Sequence, residues 1–360
     1  MINNESLQNL LQHEAPEALP RISIYVHTYQ RHPDNEGDPI RYKNLVADVE
    51  RKLEANYPRR QWENTLKSLY ALQNQQTEIW NRTKSGLAVF AVGDFLKIIH
   101  LEYRPESLGV VAADFHVLPL FAYLESRMEA LLVDLSKDRV KFHTVSRYAH
   151  KPYNTDDIKT AFPELFDDFD HDSGKNVGSY GGLEPSHHGH RAKPEEVEKD
   201  REKYFRYLDR ALTAEYQKHK RPVLMSGTTE NLAAYRQLIK GDFYLDKYID
   251  QPFDSLSDEQ KHTRVVEALE PSRKREVEGI ANRVGAAISS SKAEKDVAKL
   301  KEAAKEGRLS ELVVDLSQRK PGDTKLDELI RQGAATGADI HVLANASEIT
   351  KESVIGVLRY

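Results

Sequence analysis

Short apolar runs of strand type alternate with long charged segments of helical type along this chain, and the alternation restarts three times. The runs at 21–27, 130–135 and 339–343 are continuous or alternate at period two, as strands do. The segments at 40–55 and 194–219 instead repeat apolar residues on one helical face. Because strands that alternate with helices form sheets covered by helices, the sequence predicts a mixed α/β (α+β) fold.

Three domains are predicted from the places where the alternation restarts. Residues 1–126 form an N-terminal α/β domain, residues 127–250 a central α/β domain and residues 251–360 a C-terminal α/β sandwich. A chain of 360 residues is long enough for two or three cores of ordinary size.

Within these domains the pattern predicts individual elements. In the N-terminal domain we expect a strand at 21–27 and helices at 40–55 and 60–80. A β meander of strands at 87–92, 95–101 and 109–117 should follow. In the central domain we expect a strand pair at 130–146, a long helix at 194–219 and a strand at 222–225. A helix at 230–240, capped by Thr229, should follow. In the C-terminal domain we expect helices at 258–287, 292–306 and 325–333 and strands at 311–316, 339–343 and 354–360.

Composition narrows the classes of function. The net charge is -5, whereas a small dedicated nucleic-acid binder is strongly basic, so any contact with RNA must be local. The absence of cysteine excludes disulfides, thiolate metal sites and a cysteine nucleophile. No apolar run reaches the roughly 20 residues of a membrane helix, and the first residues do not resemble a secretory signal. We therefore expect a cytoplasmic protein with no membrane partner.

A segment rich in glycine and histidine, 171–193, interrupts the central domain. It contains Gly181, Gly182 and Leu183, followed by His187, His188, Gly189, His190 and Arg191. A loop of this length inside a compact domain is usually functional or disordered. Its histidines could bind a metal, donate to phosphate or transfer protons, but zinc ligands need a converging spacing that a loop cluster does not offer. We interpret the loop as a recognition tip, and we expect no metal and no cofactor.

Basic residues that flank loops are the other candidates for RNA contact. Arg31, His32, Arg41 and Lys43 surround the polar loop that precedes the first long helix, and Lys193 follows the glycine-rich loop. Cationic side chains beside a mobile backbone suit phosphate contacts.

Four segments carry a resemblance to a known family. They are Ser23-Ile24-Tyr25-Val26, Asp38-Pro39-Ile40-Arg41-Tyr42-Lys43-Asn44-Leu45, Pro185-Ser186-His187-His188-Gly189-His190 and Gly356-Val357-Leu358-Arg359-Tyr360. In order and spacing they are similar to the bacterial archaeo-eukaryotic release factor-like family, which includes relatives of Pelota and Balon. The resemblance implies a central release-factor-like domain and a C-terminal domain with the fold of ribosomal protein L7Ae.

The resemblance also implies a function. Release factors place a Gly-Gly-Gln loop in the peptidyl transferase centre; here Gly181 and Gly182 match the glycine pair, but Leu183 stands in place of the glutamine. Leucine has no group that could orient water, which implies binding without hydrolysis of peptidyl-tRNA. The implied partners are the ribosome, through rRNA of the A site, with tRNA and a translation GTPase, in ribosome rescue or hibernation.

Two other functions stay open on the residues alone. One is a hydrolase that uses His187, His188 or His190 as a general base. The other is an interaction scaffold with no ribosomal role, because related folds host unrelated functions.

Overall fold

Strands and helices alternate throughout the computed structural model, which describes residues 4–13, 15–136, 139–155, 157–161 and 194–360. The mixed α/β fold predicted from the sequence is confirmed, with three four-stranded sheets in the described part of the chain. Each predicted domain contributes one of these sheets.

The chain divides into two compact units. Unit 1 comprises residues 1–126 together with 277–360, and unit 2 comprises residues 127–276. The boundaries of the three predicted domains stay a prediction. No helix in the described ranges is both long enough and apolar enough to span a membrane.

The first sheet of unit 1 is antiparallel throughout and has the order β3-β2-β1-β4. Its strands are β1 (Arg21–His27), β2 (Gly86–Val92), β3 (Phe95–Leu101) and β4 (Leu108–Ala112). The helices in this part of the chain are α1 (Asn4–Leu11), α2 (Asp38–Asn56), α3 (Glu63–Ala71) and α4 (Leu118–Arg127). Helix α2 packs closely on β4, since a Cβ added at Gly109 would lie 2.6 Å from Cγ2 of Val49.

The meander predicted for β2, β3 and β4 is wrong, because β4 pairs with β1 instead of β3. Ile22 lies opposite Val111 and Ile24 lies opposite Gly109 in this ladder. Residues 22–26 of β1 are all buried, so their backbone groups need partners on both sides of the strand. A central position in the sheet supplies both.

Two further predictions in this part are wrong. The helix predicted at 60–80 ends at Ala71, because the chain folds back to bury Trp80, whose Nε1 donates to the carbonyl oxygen of Leu72 at 2.9 Å. The strand predicted at 109–117 ends early and α4 follows it, unpredicted. The carboxylate of Asp327 accepts the amides that start α4, so the signal for this helix lies far away in the sequence.

The sheet of unit 2 has the order β7-β6-β5-β8, with β5 antiparallel to β6 and parallel to β8. Its strands are β5 (Ala130–Leu135), β6 (Val140–Val145), β7 (His150–Pro152) and β8 (Val223–Gly227). Helix α5 (Pro194–His219) covers one face with Tyr204, Leu208 and Leu212, as its period predicts. Helix α6 (Thr229–Arg236) is capped by Thr228, one residue before the predicted cap.

The second sheet of unit 1 has the order β11-β10-β12-β9. Its strands are β9 (Ala293–Glu294), β10 (Leu309–Asp315), β11 (Asp339–Leu343) and β12 (Val354–Leu358). The helices in this part of the chain are α7 (Asp258–Ser289), α8 (Val297–Lys305) and α9 (Asp327–Ala335). The helix predicted at 292–306 starts later than expected, because Ala293 pairs with Val357 and Asp296 caps α8.

Candidate RNA-binding site

Loops from distant parts of the sequence meet at one edge of the first sheet of unit 1. His27 at the end of β1 lies opposite Gly86 at the start of β2, and Gly86 lies opposite Leu101 at the end of β3. Because neighbouring strands are antiparallel, residues 28–37 and 102–107 extend from the same edge. The tertiary fold therefore places their side chains together.

Tyr29 lies against two arginine side chains at this edge. The guanidinium carbon of Arg41 is 4.8 Å from the centre of the Tyr29 ring, and that of Arg104 is 4.6 Å from it. Arg104 also donates a hydrogen bond to the Tyr29 hydroxyl. We call Tyr29, Asp38, Arg41 and Arg104 the Tyr29 cluster. Guanidinium groups stack well on aromatic faces, so the cluster is organised before any ligand binds.

Asp38 holds Tyr29 and Arg41 in position. Its buried carboxylate accepts the backbone N–H of Tyr29 at 3.0 Å and a guanidinium N–H of Arg41. Burial raises the pKa of Asp38, whereas the Tyr29 amide and Arg41 lower it. Asp38 is also the first residue of α2, where a carboxylate interacts favourably with the helix dipole. The acid of the cluster is thus turned inward, while Arg104 is exposed to solvent.

His27 borders the cluster as a neutral group. Its Nδ1 lies 2.8 Å from Oγ of Ser107. Burial lowers the pKa of His27, and Arg104 and Arg41 lower it further, against the opposite effect of Asp38. The imidazole is therefore neutral at pH 7 and adds a hydrogen-bonding group without adding charge.

The Ser107 and His27 pair does not form a nucleophile with an oriented base. The Ser107 hydroxyl already accepts the backbone N–H of His27 at 3.1 Å. Among the described contacts, no carboxylate hydrogen-bonds to the His27 ring to orient it, as a triad requires. The pair fastens β1 to the loop before β4.

The chemistry of the Tyr29 cluster suits RNA with unpaired bases. Arginine forms paired hydrogen bonds with phosphate, and aromatic or guanidinium planes stack on exposed bases. Ile40, in the first turn of α2, is 60% exposed and offers an apolar contact beside the charges. Phosphate and base could therefore be held at the same edge of the sheet.

The predicted RNA contacts of the N-terminal domain fall at different places around this edge. Arg41 belongs to the Tyr29 cluster, and Arg31 and His32 lie in the adjoining loop, both exposed. The His32 ring pairs with Glu36, with 3.2 Å between Nδ1 and Oε1. Lys43 is exposed on α2, but a spacing of two residues from Arg41 points it to another side of the helix. The roles of all four stay predictions.

The predicted recognition loop lies outside the described residues. This applies to Gly181, Gly182, Leu183, His187, His188, Gly189, His190 and Arg191, and also to Lys193. Their roles stay predictions as well. Across the described remainder of the chain, no three acidic or histidine side chains are grouped so that they could hold a metal ion.

The sequence alone does not indicate that Tyr29 and Arg104 form part of a binding site. The two residues are 75 positions apart, and only the pairing of β1 with both β2 and β4 brings their loops together. Arg104 in isolation is one arginine in a short polar loop, which carries no signal of binding.

A groove in unit 2 is a weaker candidate for a ligand site. It has a volume of about 650 Å³ and lies between α6, residues 246–250 and α7. Its three basic side chains face three acidic ones. Arg236 stacks on Tyr248, 4.0 Å from the ring centre, and donates to the carbonyl oxygen of Asp246. The groove is lined by equal numbers of basic and acidic side chains and indicates no class of ligand.

Comparison with known families links the chain to translation. Residues 131–308 match the model of bacterial archaeo-eukaryotic release factor family 3. This central part of the chain is related to the bacterial archaeo-eukaryotic release factor-like family. The matched residues include almost all of the unit 2 sheet and continue through α8. A comparison of this release factor-like chain with curated proteins finds no match.

Solved structures of translation factors resemble the release factor-like chain at low identity. Archaeal translation termination factor aRF1 is 13% identical, with 99% of this chain and 96% of that chain covered and a TM-score of 0.25. Archaeal Pelota, from a model of ribosome-bound Pelota and ABCE1, is 9% identical, with 76% and 77% covered and a TM-score of 0.40. Dom34 of S. cerevisiae, a translation termination-like factor that interacts with Hbs1, is 13% identical, with 76% and 85% covered and a TM-score of 0.33.

Proposed function

We propose that this chain binds the ribosome in rescue or hibernation and holds RNA at the Tyr29 cluster. The observation that supports this proposal is the contact of the Tyr29 ring with the guanidinium groups of Arg41 and Arg104, in a chain whose central part is related to a release factor-like family. Stacking rings and arginines are the side chains with which proteins hold unpaired RNA. The net charge of -5 confines such contacts to local surfaces.

The proposed partners follow from this assignment. We expect rRNA of the A site and tRNA as the RNA partners and a translation GTPase as the protein partner. We expect the central domain to act as the release-factor-like domain and the C-terminal sandwich to be of the L7Ae type. The cytoplasm is the corresponding location.

Binding without hydrolysis is a further part of the proposal. Leu183 follows the pair Gly181-Gly182, and a leucine side chain can neither donate nor accept a hydrogen bond to a water molecule. We therefore expect no release of the peptide from peptidyl-tRNA in a single-turnover assay on programmed ribosomes. Release at a rate that falls on substitution of His187, His188 and His190 would favour the hydrolase instead.

The first test is co-sedimentation of the purified chain with 70S ribosomes at increasing salt. Tyr29→Leu removes the stacking ring and Arg104→Gln removes an exposed charge, and we expect each to weaken binding about 10-fold. Two matched controls are Tyr29→Phe, which keeps the ring, and Arg60→Gln, which removes an exposed arginine of the same unit. We expect both controls to bind nearly as the unchanged chain does.

Each outcome has a distinct meaning. Salt-sensitive binding that Tyr29→Leu and Arg104→Gln weaken, and the controls do not, supports the proposal. If all four variants bind as the unchanged chain does, the RNA contact lies outside the Tyr29 cluster. Failure of the unchanged chain to bind ribosomes or tRNA at any salt concentration favours the scaffold function.

A further inference from the structure

A second cationic surface lies on unit 2, at the carboxyl end of α5. Four consecutive basic residues occupy positions 218–221, and three more are Arg127 at the end of α4, Arg147 after β6 and Lys151 in β7. The backbone of Arg147 donates to Arg127 at 2.9 Å, and Lys151 pairs with Thr144 in the sheet. We call this surface the α5 patch; it comprises Arg127, Arg147, Lys151, Lys218, His219, Lys220 and Arg221.

Two acids, Glu129 and Glu215, pair with the inner arginines of the α5 patch. Glu129 pairs with Arg127 at 2.7 Å and with Arg221 at 3.3 Å. Glu215 also pairs with Arg221 at 3.3 Å, and its side chain is 12% exposed. Lys218, in contrast, is 59% exposed. The Glu129 side chain is 28% exposed, against 13% for Arg127 and 18% for Arg221. The exposed positive charge of the patch therefore comes from Arg147, Lys218 and Lys220.

The described side chains of this face carry a positive excess. Six lysines and arginines lie beside three carboxylates, namely Glu129, Glu215 and Asp157. Asp157 is 81% exposed and pairs with Lys218 at 2.9 Å. An exposed pair of this kind contributes little and is weakened by salt, so an incoming phosphate could replace the carboxylate. This positive excess stands against a whole-chain charge of -5.

Aromatic rings lie among the cations of the α5 patch. The guanidinium carbon of Arg221 is 4.7 Å from the centre of the Tyr153 ring, and Nζ of Lys220 is 5.3 Å from that of Tyr216. Both rings are partly exposed. Rings between basic side chains are typical of surfaces that contact nucleic acid.

Lys220 has a backbone conformation that is strained for a residue with a side chain. It ends α5 with φ of 53°, in the left-handed region that glycine adopts without strain and lysine rarely adopts. A glycine here would satisfy the helix end better. What lysine adds at this position is its charge, carried by an Nζ that donates to Oε1 of Gln217 at 2.7 Å beside the Tyr216 ring.

We propose that the α5 patch is a second RNA-binding surface, which contacts the phosphate backbone from unit 2 independently of the Tyr29 cluster on unit 1. This inference rests on the proposed function, since it assumes that the chain binds RNA. The contacts are to phosphates rather than to base edges, because the lysines of the patch are point charges without a fixed fork of donors. The guanidinium groups of Arg127 and Arg221 are held by Glu129 and Glu215.

Lys220→Gly separates binding from folding. It removes the charge and relieves the backbone, so we expect a melting temperature equal to or above that of the unchanged chain. Fluorescence anisotropy with a labelled RNA hairpin, using the full chain, measures affinity across salt concentrations. We expect about 3-fold weaker binding for Lys220→Gly and about 10-fold for Lys218→Gln with Lys220→Gly. The slope of log affinity against log salt should fall by about 0.7–0.9 per charge removed.

Three controls are matched to these variants. Ser291→Gly relieves another left-handed residue, with φ of 57°, without changing charge. Lys199→Gln removes an exposed charge of α5 about 28 Å before Lys218 along the helix axis. Polyglutamate as a competitor tests whether any polyanion suffices; competition equal to that of RNA would overturn the assignment to RNA.

The remaining outcomes distinguish this inference from the proposed function. Weaker binding by the patch variants, with both substitution controls unchanged, supports the inference. If Lys218→Gln with Lys220→Gly binds as the unchanged chain does while Tyr29→Leu binds weakly, the α5 patch is not an RNA surface and the proposed function stands. If the unchanged chain binds neither RNA nor ribosomes, both proposals are wrong.

Discussion

The carboxylate of Asp327 accepts a hydrogen bond from the ring of His116 at 2.8 Å, across 211 positions of sequence, and both side chains are about 1% exposed. Asp327 also accepts the backbone N–H groups of Val117 and Leu118 at 3.0 and 3.3 Å. One carboxylate of α9 therefore starts α4 and joins the first and last parts of unit 1. Because both of its oxygens are used in a dry environment, each lost contact leaves a buried polar group unsatisfied.

We expect Asp327→Ala to lower the free energy of unfolding of unit 1 by about 3 kcal/mol, because His116 and two amides lose their acceptor. Urea unfolding followed by tryptophan fluorescence measures this, since the two tryptophans, Trp62 and Trp80, both lie in unit 1. Asp339→Ala, at an exposed position, should change stability by less than about 0.5 kcal/mol. Equal effects of the two substitutions would contradict the role of Asp327.

His341 should make the stability of unit 1 depend on pH. Burial lowers its pKa, but Glu125 and Glu311 outweigh burial and raise it to about 9. Nδ1 lies 3.3 Å from Glu125, and Nε2 lies 3.0 Å from Glu311. A histidine with a raised pKa stabilises the folded state fully below its ordinary pKa of about 6.5. This contribution, about 2–3 kcal/mol, is lost as the pH rises through 9.

The matching experiment compares urea unfolding at pH 6 and pH 9.5. We expect His341→Gln to remove most of the difference in unfolding free energy between these two conditions. His32→Gln, which changes an exposed histidine of the same unit, should leave the difference intact. A pH dependence that survives His341→Gln unchanged would assign it to other groups.

Arg359 should stabilise the ends of two helices. Its guanidinium donates to the carbonyl oxygens of Gly307, Thr336 and Gly337 at 2.7, 3.3 and 2.9 Å, just beyond the ends of α8 and α9. A cation at the negative ends of helix dipoles is favourable. We expect Arg359→Met to cost about 1–2 kcal/mol and to speed hydrogen exchange at these helix ends.

The matched control for Arg359 is Lys351→Met, which removes an exposed cation of the same unit. It should have little effect on stability or on exchange. Arg359→Lys should restore part of the stability, because it keeps the charge but not the fork of donors. Normal exchange at both helix ends in Arg359→Met would show that water replaces the guanidinium without loss.

Gly356 should not tolerate even a methyl group. A Cβ at this position in β12 would lie 2.4 Å from Cδ2 of Leu300 and 2.9 Å from Cδ1 of Leu309, both fully buried. We expect Gly356→Ala to destabilise unit 1 by about 1–3 kcal/mol through overpacking. Gly285→Ala is the control, since α7 leaves open space there and alanine favours a helix. Similar melting temperatures for the two variants would contradict the close packing.

Local pattern predicted much of the secondary structure. The bounds expected for β1, β5, α5 and β11 agree with the structure because each is a strong run with one period. Two of the failures have distant causes: β4 pairs with β1, and α4 begins on a carboxylate from α9. No window of neighbouring residues contains these partners.

The candidate site shows the same division. The sequence predicts binding roles for Arg31 and Arg41, because both flank the loop that follows β1 and loops with cations are common binding elements. The ring of Tyr29, the buried support from Asp38 and the partner Arg104 appear only when strand pairing brings their loops to one edge.

The sequence by itself determined the mixed α/β class, the local elements and the resemblance to a release factor-like family, because periodicity, capping and short motifs are properties of neighbouring residues. Only the tertiary structure decided the order of strands, the burial of Asp327 against His116 and the grouping of cations in the Tyr29 cluster and the α5 patch. These depend on contacts between residues far apart in the chain. Their energies come from burial and from charges brought within a few ångströms, which a one-dimensional pattern does not encode.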